Sequence, residues 1–321
     1  MGNALPSDTS SLKIETIHAM AVQQKQFRQI LQLHADWLAQ RPGGVRGNFT
    51  GFVLSDMKLP KADFRKALLQ DACFVQTDLT GANFDGAILD GADFRQAVAN
   101  GADFTGARMN QVRLDAAELN GAAFSEAALQ GANFRKARMS KSQFVEASIQ
   151  DCDFTGAILN AASFNQATIS SSKFGDAEMD EALFYHARLN SCGFSGAKGS
   201  GVNFSSGRVQ ACDFTRVELP DARFHRANIA GSSFIRAQLR DCDFRDATAA
   251  GIDFTASTLC GARFTGANLY AADFRNANLR SAREMTPDQL SQARTSDQTT
   301  LPNGKNGPYM RKSGAEKAAP R

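Results

Sequence analysis

Five stretches decide how this chain folds: GANFDGAILD (81–90), GADFRQAVAN (91–100), GADFTGARMN (101–110), GANFRKARMS (131–140) and DCDFTGAILN (151–160). One phrase returns every ten residues and splits into halves of five. Each half reads small, polar, large apolar, any, any. Between Phe64 and Phe274 there are 22 positions ending in the digit 4, and Phe fills 21 of them, with Leu114 as the exception. Positions ending in 9 carry the aliphatic partners, among them Leu69, Leu89, Leu129 and Ile149. Two residues before each large residue the chain is small: 30 of the 44 such positions from Ala62 to Ala277 are Ala. Neither the helical period of 3.6 nor the strand period of 2 fits this spacing. A five-residue period fits a backbone that turns at every unit, with the small and the large residue inward and the other three in water.

These units resemble the A(D/N)(L/F)xx signature of pentapeptide-repeat proteins, as in Ala62-Asp63-Phe64, Ala82-Asn83-Phe84, Ala92-Asp93-Phe94, Ala132-Asn133-Phe134 and Ala272-Asp273-Phe274. The resemblance covers roughly residues 47 to 281. It implies an all-β solenoid, a right-handed quadrilateral β-helix with four units per coil. Phe would then line two opposite sides and aliphatic residues the other two. Phe64, Phe84, Phe104, Phe124, Phe144, Phe164, Phe184 and Phe204 are expected to form one buried ladder. From Phe49 to Leu279 there are 47 uninterrupted units, hence about twelve coils. At ~4.8 Å per coil the rod is roughly 55 Å long.

The ends need covers, because terminal coils expose apolar stacks and unpaired strand edges. The expected organisation is a helical N-terminal segment (1–46), the repeat shaft (47–281), a C-terminal cap (282–302) and a disordered basic tail (303–321). Residues 10–40 contain no Pro or Gly. Phe27, Ile30, Leu31, His34 and Leu38 share one helical face, with Trp37 beside it. That face either caps the first coil or binds a partner. Thr286-Pro287 reads as an N-cap and first helical residue, placing Leu290 over the last coil.

Formal net charge is +3. The segment from Asn303 carries five basic residues against Glu316 alone, so the remainder is near −1. No apolar run of ~18 residues is present, so no transmembrane helix is expected. The N-terminus lacks the pattern of a secretory signal, and Pro6 spoils a myristoylation motif at Gly2. Six cysteines point to a reducing compartment. Cys152, Cys192 and Cys212 share an inward column with Ser172, where Cys serves as a small buried filler. A bacterial cytoplasmic location follows as an expectation.

Catalytic constellations are absent. His18, His34, His186 and His225 have no metal-ligand spacing, and no phosphate-binding loop or nucleophile elbow occurs. No cofactor is expected, and the chain does not read as an enzyme. Residues twenty apart stack, so the outer columns can be read directly. Gln130, Gln150, Ser170, Asn190 and Gln210 form one polar column, and Asn100, Asn120, Ser140, Asn160 and Asp180 another. Both are expected to hydrogen-bond from coil to coil. Asp213, Ser233, Asp253 and Asp273 make a column without the glycine-rich calcium repeat. Arg188 and Arg208 stack as a small anion patch. Ala99, Gly199 and Ala249 break the large-residue rule, each leaving a void or an inward closure of the wall. Gly199 marks a dented site suited to a partner.

The leading functional expectation is a non-catalytic scaffold presenting rigid faces to an unidentified protein, through the shaft, the N-terminal helix or the tail. A homodimer through an end cap is a further possibility. Some members of the resembled family mimic DNA and bind type II topoisomerases such as gyrase, and others resemble secreted effectors. Mimicry needs an acidic face, whereas Lys66, Glu126, Glu146, Arg226 and Asp246 share one column of mixed sign. Without a continuous basic stripe, nucleic acid is not an expected partner.

Overall fold

A computed structural model of the chain describes residues 25–318. Those residues build a β-solenoid with few helices. Parallel bridges join every fifth residue, at positions ending in 3 or 8, to the one twenty positions on, from Asn48↔Leu68 through Arg263↔Arg283. Each coil therefore takes twenty residues. The inward residues of successive coils fall into vertical columns, and the ladder of backbone hydrogen bonds runs between coils: Phe84 N–H donates to Asp103 C=O at 2.6 Å and Leu89 N–H to Arg108 C=O at 2.8 Å.

Why a five-residue unit can turn is written in its backbone. The residue two after each large one, at positions ending in 1 or 6, holds a left-handed conformation. Gly101 (φ 65) does so without strain, but Lys66 (φ 58) and Glu126 (φ 59) adopt it too. Each non-glycine there costs ~1–2 kcal/mol. Burial of the stacked column offsets that cost. Phe64 through Phe204 are fully buried in steps of twenty, as are Leu69, Leu89 and Leu79. Consecutive rings of this column lie 4.7–5.1 Å apart and close to parallel. The second Phe column crosses it edge-on, as between Phe144 and Phe154 at 5.9 Å and 85°.

The outward polar residue before each Phe has a local task that residue spacing alone did not bring out. Its carboxylate or amide oxygen accepts the backbone N–H two residues on: Asp103 from Thr105, Asp153 from Thr155, Asp253 from Thr255. Where the first residue is Asp and an Arg stands at that second position, the pair also closes as a fork. Asp63–Arg65, Asp93–Arg95, Asp243–Arg245 and Asp273–Arg275 all do this.

Helix α1 occupies residues 25–38 of the described chain; the earlier part of the expected helix, 10–24, lies outside the described residues. Phe27 is buried, with its ring 5.5 Å from Phe49 and 6.3 Å from Phe64. His34 is buried behind it, and its Nδ1 accepts the Gly47 N–H at 3.0 Å. At the other end α2, Pro287–Gln292, starts in a reciprocal capping box between Thr286 and Gln289 and buries Leu290. Gln289 Nε2 also donates to the carbonyls of Phe264 and Ala267, both at 2.8 Å.

The tail corrects the expectation of disorder after Asn303. Residues 303–318 fold back on the last coil. Asn303 N–H donates to Ala315 C=O, Tyr309 N–H to Thr295 Oγ1, and Ala315 is buried. The tail's glycines and lysines suggested disorder. Tertiary contacts to Thr295, Thr299 and Leu301 hold the segment instead, an effect that composition does not encode.

Candidate functional site

Most of the shaft is joined by single bridges, but one face carries true strands. These are β1 (Ala128–Gln130), β2 (Ser148–Gln150), β3 (Thr168–Ser170), β4 (Arg188–Asn190) and β5 (Arg208–Gln210). They form a parallel five-stranded sheet in sequence order. The middle residue of each strand points inward and is buried, while the first is exposed. The outer surface is thus a grid of Ala128, Ser148, Thr168, Arg188 and Arg208 beside Gln130, Gln150, Ser170, Asn190 and Gln210.

Two of the polar columns behave differently. In the column of Asn100, Asn120 and Ser140, the Asn100 Oδ1 accepts the Asn120 N–H and the Asn120 Oδ1 the Ser140 N–H. Asn160 and Asp180 continue it by accepting the N–H of Asp180 and Ser200. The Gln130–Gln210 column forms no such side-chain ladder among the described residues, contrary to expectation. Its strands pair through backbone alone, which leaves the amides pointing to solvent.

Arg188 and Arg208 stand in direct register across β4 and β5. Neither has a carboxylate within ion-pairing distance among the described residues. They border a groove of ≈670 Å³ lined also by Glu146, Gln166, Thr168, His186 and Ser206. Around the corner the same coil exposes Leu183 and Tyr185, 36% and 44% accessible. The Tyr185 ring meets that of His186 at 4.1 Å. Leu183 lies in a second groove of ≈620 Å³ with Gly201, Asn203 and Arg223. Leu183, Tyr185 and His186 were missed in the sequence. The available signal was two large apolar or aromatic residues two apart at outward positions of one unit.

The other sequence-derived site residues fall elsewhere. Phe27, Ile30 and Leu31 pack against the core, and Trp37 stacks on His34 at 5.6 Å. This face of α1 lies against the first coil, with Phe27 buried and Ile30, Leu31 and Trp37 half-buried. Gly199 is not a break in the ladder: its N–H donates to Glu218 C=O at 2.9 Å. Its backbone lies so close to the preceding coil that an added Cβ would stand 2.6 Å from the Met179 carbonyl carbon. Ala99 and Ala249 are fully buried.

Among the described residues no group of three or more His, Cys, Asp or Glu is placed to hold a metal. In the Asp213–Asp273 column each carboxylate is engaged by its own neighbouring backbone N–H. The six cysteines are free thiols. Burial pushes the Cys152 thiol up to about 12, and a hydrogen bond with Cys192 together with burial raises Cys212 as well. No helix among the described residues is long and apolar enough to cross a membrane.

Comparison with known proteins bears on the family. The model described as pentapeptide repeats matches 48–86, 77–115, 177–216, 210–246 and 250–283 in 8 copies. A second, described as a pentapeptide repeat region, matches 107–184. A search of curated proteins found no significant match. Among solved structures the chain is similar to HetL, a pentapeptide-repeat protein involved in heterocyst differentiation regulation from the cyanobacterium Nostoc. Identity is 22% over 76% of this chain and 93% of HetL, with a TM-score of 0.34. It is similar also to QnrB1, a plasmid-mediated fluoroquinolone resistance protein, at 17% identity over 73% of this chain and 83% of QnrB1, TM-score 0.28. A pentapeptide-repeat protein of the Arabidopsis thaliana thylakoid lumen is 28% identical over 36% of this chain and 68% of its own, TM-score 0.13. With family models matching well over half its length, and a twenty-residue coil built from four such units, the chain belongs to the pentapeptide-repeat family.

Proposed function

We propose that this chain is a non-catalytic scaffold, a right-handed four-sided shaft of about twelve coils that binds a protein partner on its side. The observation that carries this reading is the patch formed by Leu183, Tyr185, His186, Arg188 and Arg208. Tyr and Arg are the residue types enriched where binding energy concentrates, and exposed apolar side chains beside unpaired guanidinium groups have no structural task in the shaft. The ends are a poorer location. The inward face of α1 is spent on the first coil, and the last coil pairs with the C-terminal segment, as in Leu279 N–H to Thr300 C=O. A homodimer through an end would have to use side chains of the caps. Free cysteines fit a reducing compartment, and we place the protein in the bacterial cytoplasm.

A photo-crosslinking residue at position 185 tests the reading, with position 118 on another face as control. The expected result is a discrete protein adduct from 185 only, lost when Arg188 and Arg208 are both changed to Glu. Equal adducts from both positions would remove the patch from consideration. The rival role, modulation of a type II topoisomerase, is judged by a gyrase supercoiling assay at micromolar protein. Mixed charge along the columns argues against DNA mimicry, so neither inhibition nor protection is expected.

A further inference from the structure

The register of Arg188 and Arg208 carries more than a docking face requires. Parallel neighbours lie ~4.8 Å apart, so both guanidinium groups leave the same side of the sheet at that spacing. Like charges directly opposite one another destabilise a sheet. Several arginines elsewhere in the shaft are answered: Arg95 and Arg113 meet Asp93, Arg108 meets Asp90, Arg135 meets Asp153. Arg263 and Arg283 are also in register, but Arg283 reaches Asp241. Among the described residues the Arg188–Arg208 pair has no such answer; Arg216 and Arg236, also twenty apart, have none either, but they do not line this groove. Around it the groove supplies hydroxyls from Thr168 and Ser206 and the ring of His186, and Glu146 is the one carboxylate in its lining. Glu146 belongs to a column two coils before His186.

We infer that this pair is the binding site for a phosphoryl group carried on a side chain of the partner protein, an inference that rests on the docking reading above. A carboxylate has one plane of two oxygens and suits one guanidinium fork. A phosphate monoester carries close to two charges and three acceptor oxygens. Two forks side by side match it, and the third oxygen faces the Thr168 or Ser206 hydroxyl. Leu183 and Tyr185 lie on the same coil, one corner away, where residues flanking the phosphorylated one would pack. A free anion gains nothing from that shelf, which favours a phosphorylated polypeptide segment over a small ion.

Three probes against the full chain separate the possibilities: a peptide library with fixed phosphoserine and randomised flanks, its unphosphorylated twin, and inorganic phosphate. The expected result is retention of the phosphorylated library about tenfold over its twin. Retention is lost in R188A/R208A and kept in R216A/R236A, a second stacked exposed arginine pair that serves as the charge control. Unchanged melting of both variants shows that the shaft is intact. Three results would overturn the inference. The two libraries could be retained equally, both double variants could lose binding alike, or inorganic phosphate could bind as well as the phosphorylated library. Crosslinking at position 185 without phosphate dependence would overturn the phosphoryl site while leaving the docking face in place.

Discussion

The ring of Phe144 lies 4.7 Å from that of Phe164, within 6° of parallel. Both are fully buried, and the same relation repeats up and down the column. Phe164→Ala removes one ring between two neighbours and is expected to cost about 3–5 kcal/mol. Phe164→Asp buries a charge and is expected to prevent the coils around it from folding. Because solenoid stability is nearly a sum of neighbour terms, urea unfolding followed by circular dichroism should split into two transitions. A soluble Phe164→Asp variant with unchanged unfolding would refute the assigned register.

His34 makes the N-terminal cap sensitive to acid. Burial lowers its pKa, as do the charges of Arg46 and Arg65, while Asp63 and a backbone group of Arg65 pull it back up in part. The ring is needed neutral, because Nδ1 accepts the Gly47 N–H. A lowered folded pKa means that the unfolded state binds the proton more readily. The contribution is therefore complete above the ordinary value of ~6.5 and fades as pH falls below it. Hydrogen exchange of the α1 amides should accelerate between pH 7 and 5 (~two pH units about that value). The rest of the shaft should be unchanged, and His34→Gln should flatten the dependence.

Asp93 is shared by Arg95 and Arg113. Burial works against its ionised form, but hydrogen bonds from Arg95 outweigh that and hold its carboxyl below the usual range. Asp243 and Asp273 show the same balance with Arg245 and Arg275. Depressed carboxylates contribute stability above ~3.9 that is lost as pH falls through their folded values. Asp93→Asn should cost about 1 kcal/mol, since the partners are partly exposed. A calorimetric melt at neutral pH checks this, and the deficit should vanish in strong acid.

Gly199 replaces the Leu or Met that the repeat would put there, so restoring the consensus looks stabilising. The structure says otherwise. With a Cβ position 2.6 Å from the Met179 carbonyl carbon, Gly199→Leu forces the two coils apart and should cost about 1–3 kcal/mol. A rise in melting temperature for this variant would contradict the close approach.

Thr286 and Gln289 close the start of α2 and tie it to the last coil. Thr286→Ala is expected to cost about 0.5–2 kcal/mol. The loss should be local, with faster exchange at the Leu290 amide and little change at Phe164.

Much was legible in the sequence because a five-residue period leaves one geometry open to each position. That fixed the inward columns, the Phe ladder, the twenty-residue stacking and the apolar face of α1 that must be covered. Other features depended on what comes alongside in space. The Asn100–Asn120–Ser140 column bonds from coil to coil through its side chains, while the chemically similar Gln130–Gln210 column, whose residues lie in paired strands, does not. The tail reads as disordered by composition yet packs through contacts with residues that precede it. Arg188 and Arg208 were visible as a stacked pair from their spacing. That no carboxylate answers them, and that Leu183 and Tyr185 stand exposed beside them, was decided by tertiary structure. Periodicity dictates which way a side chain points, and only the folded neighbours decide whether anything meets it.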